Sequence, residues 1–151
     1  MEIQNATTND HEILTFITKT SKNIWGYGDE QIEKWSDVLT ITTDYIEKNV
    51  LRKLVDDGRI IGYYALMQVD PKEMRLDYMF VLPEFTGKGL GKLLVEDAID
   101  TARNLKYTKI SLDADPNAEG FYERLGFSLV RRMESTIPGR FLPVMEMLLI
   151  C

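Results

Sequence analysis

The spacing of apolar residues switches along this chain between helical and strand periods. Residues 2–7 read as a short strand. Asn9, with Glu12 three positions on, has the form of a capping box opening a helix through Ile13, Leu14, Phe16 and Ile17. Asp29 can cap a second helix, with Ile32, Trp35, Val38 and Leu39 on one face, and Thr43 starts a further short turn through Tyr45 and Ile46. From Val50 the period becomes two. Residues 50–56 and 59–69 form strands joined by Asp57-Gly58, a strong hairpin signal, and after a turn at 70–73 a third strand covers 74–82. Helical spacing returns in Leu90, Leu93, Leu94, Ala98, Ala102 and Leu105, which predicts a helix from about 89 to 104. A strand over 109–113 follows, then a short helix carrying Phe121, Tyr122 and Leu125, stopped by Gly126. Strands over 127–134 and 141–150, joined through Pro138-Gly139, close the chain.

This order predicts an α/β fold, a mixed sheet with helices on both faces. The strand–helix–strand unit at 74–113 should be a right-handed parallel crossover. A chain of 151 residues fits one domain spanning 1–151. Its 44% hydrophobic and 28% charged content is that of an ordinary globular protein. No apolar run is long enough to span a membrane, and the first residues lack the basic end and apolar block of a signal peptide. The sole cysteine, Cys151, is the last residue and cannot form an intrachain disulfide. Together these features suit a reducing cytoplasm. A formal net charge of −6 argues against a nucleic-acid partner and favours an amine or other cationic acceptor.

The charge also opposes a polyanionic cofactor unless basic residues gather locally, and Lys88 and Lys92 do so. They lie where the strand at 74–82 passes through Pro83 into Thr86-Gly87-Lys88-Gly89-Leu90-Gly91-Lys92 and then a helix. Strand, glycine-rich turn and helix N-terminus make an anion site: glycines admit close backbone approach, and the helix dipole adds positive charge. A nucleotide P-loop is excluded because Leu93, not Ser or Thr, follows Gly91-Lys92. A dinucleotide fingerprint is excluded because its third glycine would fall on Lys92 or Leu94. Taken alone, the segment also fits a glycine turn that merely joins strand to helix.

The segment resembles the pyrophosphate loop of the GNAT (GCN5-related) N-acetyltransferases, Gln/Arg-x-x-Gly-x-Gly/Ala, with Thr86 departing from the usual first residue. A second segment, Asp113-Ala114-Asp115-Pro116-Asn117-Ala118-Glu119-Gly120-Phe121-Tyr122 followed by Leu125-Gly126-Phe127, is similar to the family's stretch after the fifth strand. The two signatures lie about 30 residues apart, in the family's order; the likeness covers residues 60–150 well and the N-terminal third only by element order. It implies the GNAT fold, a mostly antiparallel sheet of six to seven strands. It implies acetyl-CoA as co-substrate, with Thr86, Gly87, Lys88, Gly89, Leu90, Gly91 and Lys92 at the pyrophosphate. Backbone N–H groups of Met79, Phe80 and Val81 would face the thioester. Asn117 would contact the pantetheine arm and Tyr122 would lie by the sulfur. By their local context alone, Asn117 serves equally as a helix cap and Tyr122 as a core aromatic.

Transfer of an acyl group from a thioester to an amine needs a neutral amine, a polarised carbonyl and a protonated leaving thiolate. Tyr122 suits the last role as general acid. Family members often carry a base on the fourth strand, and one register puts Arg75 there, which cannot serve. Asp77 is the candidate base; Glu73, a water chain or an amine arriving neutral are alternatives. Trp25 and Tyr27 fall in the connection that lines the family's acceptor pocket, and packing is their alternative. Arg140, in the last hairpin, suits either a clamp for an acceptor carboxylate or an ordinary solvated loop. The seven methionines read as core filler, so no metal is expected. The expected activity is acetyl transfer to a small-molecule or peptide amine by direct attack, since Cys151 has no neighbouring base to make it a nucleophile. A non-catalytic acyl-CoA sensor of the same fold is the alternative. The last strand pair could offer an edge for a homodimer.

Overall fold

The computed structural model describes residues 1–23, 28–135 and 137–149. Its strands are β1 (Glu2–Asn5), β2 (Val50–Asp56), β3 (Arg59–Asp70), β4 (Glu73–Val81), β5 (Lys109–Asp113), β6 (Ser128–Glu134) and β7 (Phe141–Leu148). Its α-helices are α1 (His11–Asn23), α2 (Gly28–Lys34), α3 (Ser36–Leu39), α4 (Thr43–Lys48), α5 (Leu90–Asn104) and α6 (Glu119–Arg124). One seven-stranded sheet runs in the order β1-β2-β3-β4-β5-β7-β6. β1–β2, β2–β3, β5–β7 and β6–β7 pair antiparallel, and β4–β5 pair parallel as the crossover requires. The β4–β5 ladder ends at Arg75↔Ser111, while β4 itself continues to Val81.

Two compact units divide the chain: Met1–Leu66 with Tyr78–Asp97, and Met67–Asp77 with Ala98–Cys151. Their boundaries cut through β3, β4 and α5, so neither unit is one continuous stretch of chain.

In the first unit, Asp57 (φ 50°) and Gly58 (φ 78°) take the left-handed conformations that a two-residue hairpin turn needs. Residues 61–66 of β3 are buried without a break, so both faces of that strand are covered. Two tyrosines show by what. Tyr63 hydrogen-bonds Thr18 of α1, and the next residue, Tyr64, which points to the opposite face, donates 2.6 Å to Asp97 of α5. Helices therefore lie on both faces of the sheet here. α1 buries Leu14, Ile17, Thr18 and Ser21, whereas Phe16 is 53% exposed. The buried stripe takes in two hydroxyls because each has an acceptor: Leu14 C=O for Thr18 (2.7 Å) and Val81 C=O for Ser21 (3.0 Å). The helix entry also differs from Asn9–Glu12. A short 3₁₀ turn at Thr8–Asp10 precedes α1, and Asp10 accepts from Thr7 N–H at 2.8 Å. The single helix expected after Asp29 is two, broken at Trp35 (φ −91°, ψ 8°), with Val38 exposed.

In the second unit, Met74, Leu76, Ala98, Ala102, Ile110, Leu112, Tyr122, Phe127 and Met145 form the core. Along α5, whose residues up to Asp97 belong to the first unit, the buried face includes Val95 and Ile99, each one residue beyond an expected position. Leu93 and Leu105, expected inside, are 42% and 49% exposed.

Candidate active site

In the first unit, β4 runs through Leu82 into a 3₁₀ turn, Pro83–Phe85, closed by Phe85 N–H to Leu82 C=O at 2.9 Å. Thr86 finishes this turn, donating its hydroxyl to Pro83 C=O at 2.8 Å. Gly87 and Gly89 then take φ of +80° and +77°. A Cβ at either would meet nothing within 4 Å, so backbone conformation, not space, requires glycine there. Helix α5 begins with Leu93 N–H donating to Gly89 C=O at 3.1 Å. Gly89 is thus the N-cap, and the N–H groups of Leu90, Gly91 and Lys92 have no acceptor within the helix. The first turn of α5 carries no acidic residue to offset its positive end. Lys88 Nζ stands 5.5 Å from the Phe85 ring, and the Arg59 guanidinium 5.6 Å from the same ring. Arg59 also pairs with Glu84 at 3.0 Å. Three helix N–H groups with Lys88 beside them suit an exposed phosphate.

The end of β4 is held from two sides. Leu82 N–H donates to Ile61 C=O at 2.8 Å, and Ser21 holds Val81 C=O. At Gly62 of β3, an added Cβ would come within 2.8 Å of the Phe80 carbonyl oxygen. β3 and β4 approach this closely only because residue 62 lacks a side chain. The Phe80 carbonyl faces β3, and in a planar trans peptide the Val81 N–H on the same unit points the other way. That N–H is one of the donors expected at the thioester.

Aromatic residues gather beside this segment. Tyr78 meets Tyr45 edge-on at 5.6 Å, with Tyr63 and Phe80 each 6.5 Å away, and its hydroxyl donates to Val38 C=O. This cluster is absent from the sequence reading. Its signal is the pairing of Tyr63 with Tyr78 and Phe80 across the turn at 70–73. Trp25 and Tyr27, the expected pocket aromatics, lie outside the described residues.

In the second unit, Tyr122 on α6 is 8% exposed, more buried than its neighbours Phe121 and Leu125. Its ring packs edge-on against Phe121 (5.1 Å) and Phe127 (5.7 Å). Burial pushes the Tyr122 phenol far above its ordinary value. Asp115, not Asn117, caps the 3₁₀ turn Pro116–Ala118 that leads into α6: one Asp115 oxygen accepts from Asn117 N–H at 3.0 Å and from Asn117 Nδ2 at 2.8 Å. The other oxygen accepts from Arg140 at 2.9 Å. Arg140 is therefore engaged within the protein. On β4, Arg75 pairs with Asp113 at 2.5 Å, and its Nε lies 3.5 Å from Asp77 without hydrogen-bond geometry. The candidate base is also an ion-pair partner of Arg75. Glu73 accepts from Ser111 at 2.6 Å and pairs with Lys109 at 3.4 Å. Among the described residues, no group of three or more His, Cys, Asp or Glu is placed to hold a metal. No described helix is long and apolar enough to cross a membrane.

Comparison with known proteins places these features in a family. The model of the GNAT acetyltransferase domain matches residues 24–149. A glucosamine 6-phosphate N-acetyltransferase of Trypanosoma brucei brucei is 36% identical over 77 residues, 46% of this chain and 52% of the relative. A 5-NmdU N-acetyltransferase of Pseudomonas phage PaMx11 is 26% identical over 128 residues, 84% of this chain and 86% of the relative. Over the first two curated relatives, including a peptidyl-lysine N-acetyltransferase, the chain spans about half of their length. Among solved structures, PaiA N-acetyltransferase from Thermoplasma acidophilum, in complex with coenzyme A, superposes with a TM-score of 0.79 at 21% identity, covering 96% of both chains. YncA from Salmonella typhimurium, with acetyl-CoA, gives 0.73 at 20% identity, covering 99% of this chain and 94% of that one. The chain has the GNAT fold and belongs to the GNAT acetyltransferase family.

Proposed function

We propose that the protein is an N-acyltransferase that moves the acetyl group of acetyl-CoA to an amine by direct attack. The observation that carries this reading is the cap of α5. Gly87 and Gly89 hold left-handed φ values, and the N–H groups of Leu90, Gly91 and Lys92 are left for an anion. Thr86 contributes the turn behind the loop, and Lys88 a flanking charge for the coenzyme pyrophosphate.

The residues then divide the chemistry. Backbone N–H groups along Met79, Phe80 and Val81 polarise the thioester carbonyl, with Gly62 and Ser21 setting the orientation of the last. The neutral amine attacks the carbonyl carbon; a C–N bond forms and the C–S bond breaks. Tyr122 donates a hydrogen bond to the leaving sulfur, and the thiolate takes up a proton from solvent. Asp77, Glu73 or a water chain accepts the proton lost by nitrogen. The acceptor is a small-molecule or peptide amine, bordered by Trp25 and Tyr27 and by the ring cluster around Tyr78. The relatives are named for glucosamine 6-phosphate, peptidyl-lysine and 5-NmdU as acceptors.

A second reading, an acyl-CoA sensor without turnover, is favoured by one observation: Asp77 stands beside Arg75. Thiol release from acetyl-CoA against a panel of amines separates the two. Amine-dependent release supports the enzyme. Coenzyme binding without release for any amine supports the sensor. A homodimer through β6, an edge strand exposed along all seven residues, is proposed beside either reading. Sedimentation that shows only monomer at high concentration removes it.

A further inference from the structure

The chain Arg140–Asp115–Asn117 lies wholly within the second unit and links the turn after β6 to the turn before α6. Each link has a definite chemical direction. Asp115 carries two carboxylate oxygens, which only accept. One takes both the main-chain N–H and the side-chain Nδ2 of Asn117, at 3.0 and 2.8 Å. The side-chain amide of Asn117 can therefore face Asp115 only through nitrogen, and its Oδ1 is turned away. The second Asp115 oxygen takes the Arg140 guanidinium at 2.9 Å. Asp115 and Arg140 are 10% and 15% exposed, so both charges are largely withdrawn from water. Removing one partner leaves the other poorly solvated, and the geometry of the pair would change with it. The turn that carries Arg140 is itself fixed: Arg140 N–H donates to Ile137 C=O at 3.1 Å, and Ser135 N–H to Arg140 C=O at 2.9 Å. Asn117, by contrast, is exposed.

We infer that Arg140 and Asp115 are positioning residues for the coenzyme, holding the Asn117 amide so that its Oδ1 accepts an N–H from the amide-bearing arm of an acyl-CoA. This rests on the reading of the protein as an acetyl-CoA enzyme. It moves Arg140 from a clamp on the acceptor to a support for the cofactor, and it makes Asp115 the residue that assigns the direction of the Asn117 amide. At the Arg140 nitrogen that donates to Asp115, a carboxylate acceptor would compete with Asp115.

The test is calorimetry with coenzyme A on wild type, Asn117→Ala, Arg140→Ala and the double variant, with initial rates alongside. Asn117→Ala should weaken coenzyme A binding about tenfold, as one lost hydrogen bond does. Arg140→Ala should weaken it several-fold, and the double variant should be no weaker than Asn117→Ala alone within about twofold. Arg140→Lys, which keeps a charge for Asp115, should recover most of the affinity. KM for acetyl-CoA should rise in Arg140→Ala, while KM stays unchanged for every acceptor, anionic or neutral. A merely structural role would lower the melting temperature without this coupling to Asn117. If Arg140→Ala proves unstable, the same comparison with Asp115→Asn, which keeps the shape and removes the charge, decides the matter. Unchanged coenzyme affinity, losses that multiply in the double variant, or a KM change confined to anionic acceptors would each overturn the inference while leaving the enzyme reading intact. Wild type that binds no coenzyme A would remove the enzyme reading and this inference together.

Discussion

The hydroxyl of Tyr122 sits on a ring packed between Phe121 and Phe127, and this burial raises its ionisation far above the ordinary phenol. The group is protonated at any working pH. Proton transfer to a thiolate is already uphill by about 2 kcal/mol from reference values near 10 and 8.5, and burial adds to that. In the proposed mechanism its value would lie in a hydrogen bond to charge developing on sulfur. Tyr122→Phe should lower turnover by on the order of 10²-fold with coenzyme affinity and melting temperature near wild type at neutral pH. A loss under about threefold would make Tyr122 a packing residue. The same shift has a stability consequence. Above about pH 10 the unfolded chain loses this proton and the folded chain keeps it, so stability falls as pH rises. Alkaline melts should therefore be flatter for Tyr122→Phe than for wild type. Gly62 gives a second residue-scale expectation. Gly62→Ala puts a methyl 2.8 Å from the Phe80 carbonyl oxygen, which must move and take the Val81 N–H with it. Turnover should fall about tenfold or more while coenzyme A binding, read by calorimetry, changes little. Equal turnover would detach Val81 from the chemistry. Neither the Gly62 approach nor the Arg140–Asp115 pair was legible in the sequence. The partners are 18 and 25 positions apart, and no local pattern links them.

Local pattern was most informative where local geometry decides the element. The Asp57-Gly58 hairpin, the strand that feeds the glycine loop and the helix behind it fall within a residue or two of expectation. Element faces were harder. On α1 the rule that apolar residues face inward misplaced Phe16 and missed Thr18 and Ser21, because Tyr63, which meets Thr18, and the Val81 C=O, which accepts from Ser21, come from elsewhere in the fold. Two overlapping cap patterns also competed at its start, and Thr7–Asp10 prevailed because Asp10 additionally meets Lys53 at 2.9 Å. Burial by itself would raise the Asp10 carboxyl; the Thr7 N–H and Lys53 outweigh it and hold it below the usual carboxylate. Its contribution is present above about pH 4 and is lost as pH falls further. Asp10→Ala should cost about 1–2 kcal/mol in denaturant melts at neutral pH, and less in acid. At the glycine loop, Gly89→Val forces a β-branched residue into a left-handed φ, costing on the order of 1–3 kcal/mol of local strain. Coenzyme A binding should weaken about tenfold while the protein still folds, with the melting temperature lowered by only several degrees; equal affinity in calorimetry would remove the loop from the site.

At the scale of the whole chain, the net charge of −6 and the cations around the glycine loop act on different reactants. On the proposed function, the overall field would draw a cationic acceptor, while Lys88 would serve the coenzyme locally. The acceptor itself is not written in the motifs, since the loop and the Asn117–Tyr122 segment are both proposed to address the coenzyme. Initial rates of thiol release, over a grid of acetyl-CoA and amine concentrations, test direct transfer most directly. The expected result is release that requires the amine, with double-reciprocal lines that intersect, because both reactants must be bound before the C–S bond breaks. Release that proceeds equally without amine, or parallel lines from an acetylated enzyme intermediate, would contradict direct attack.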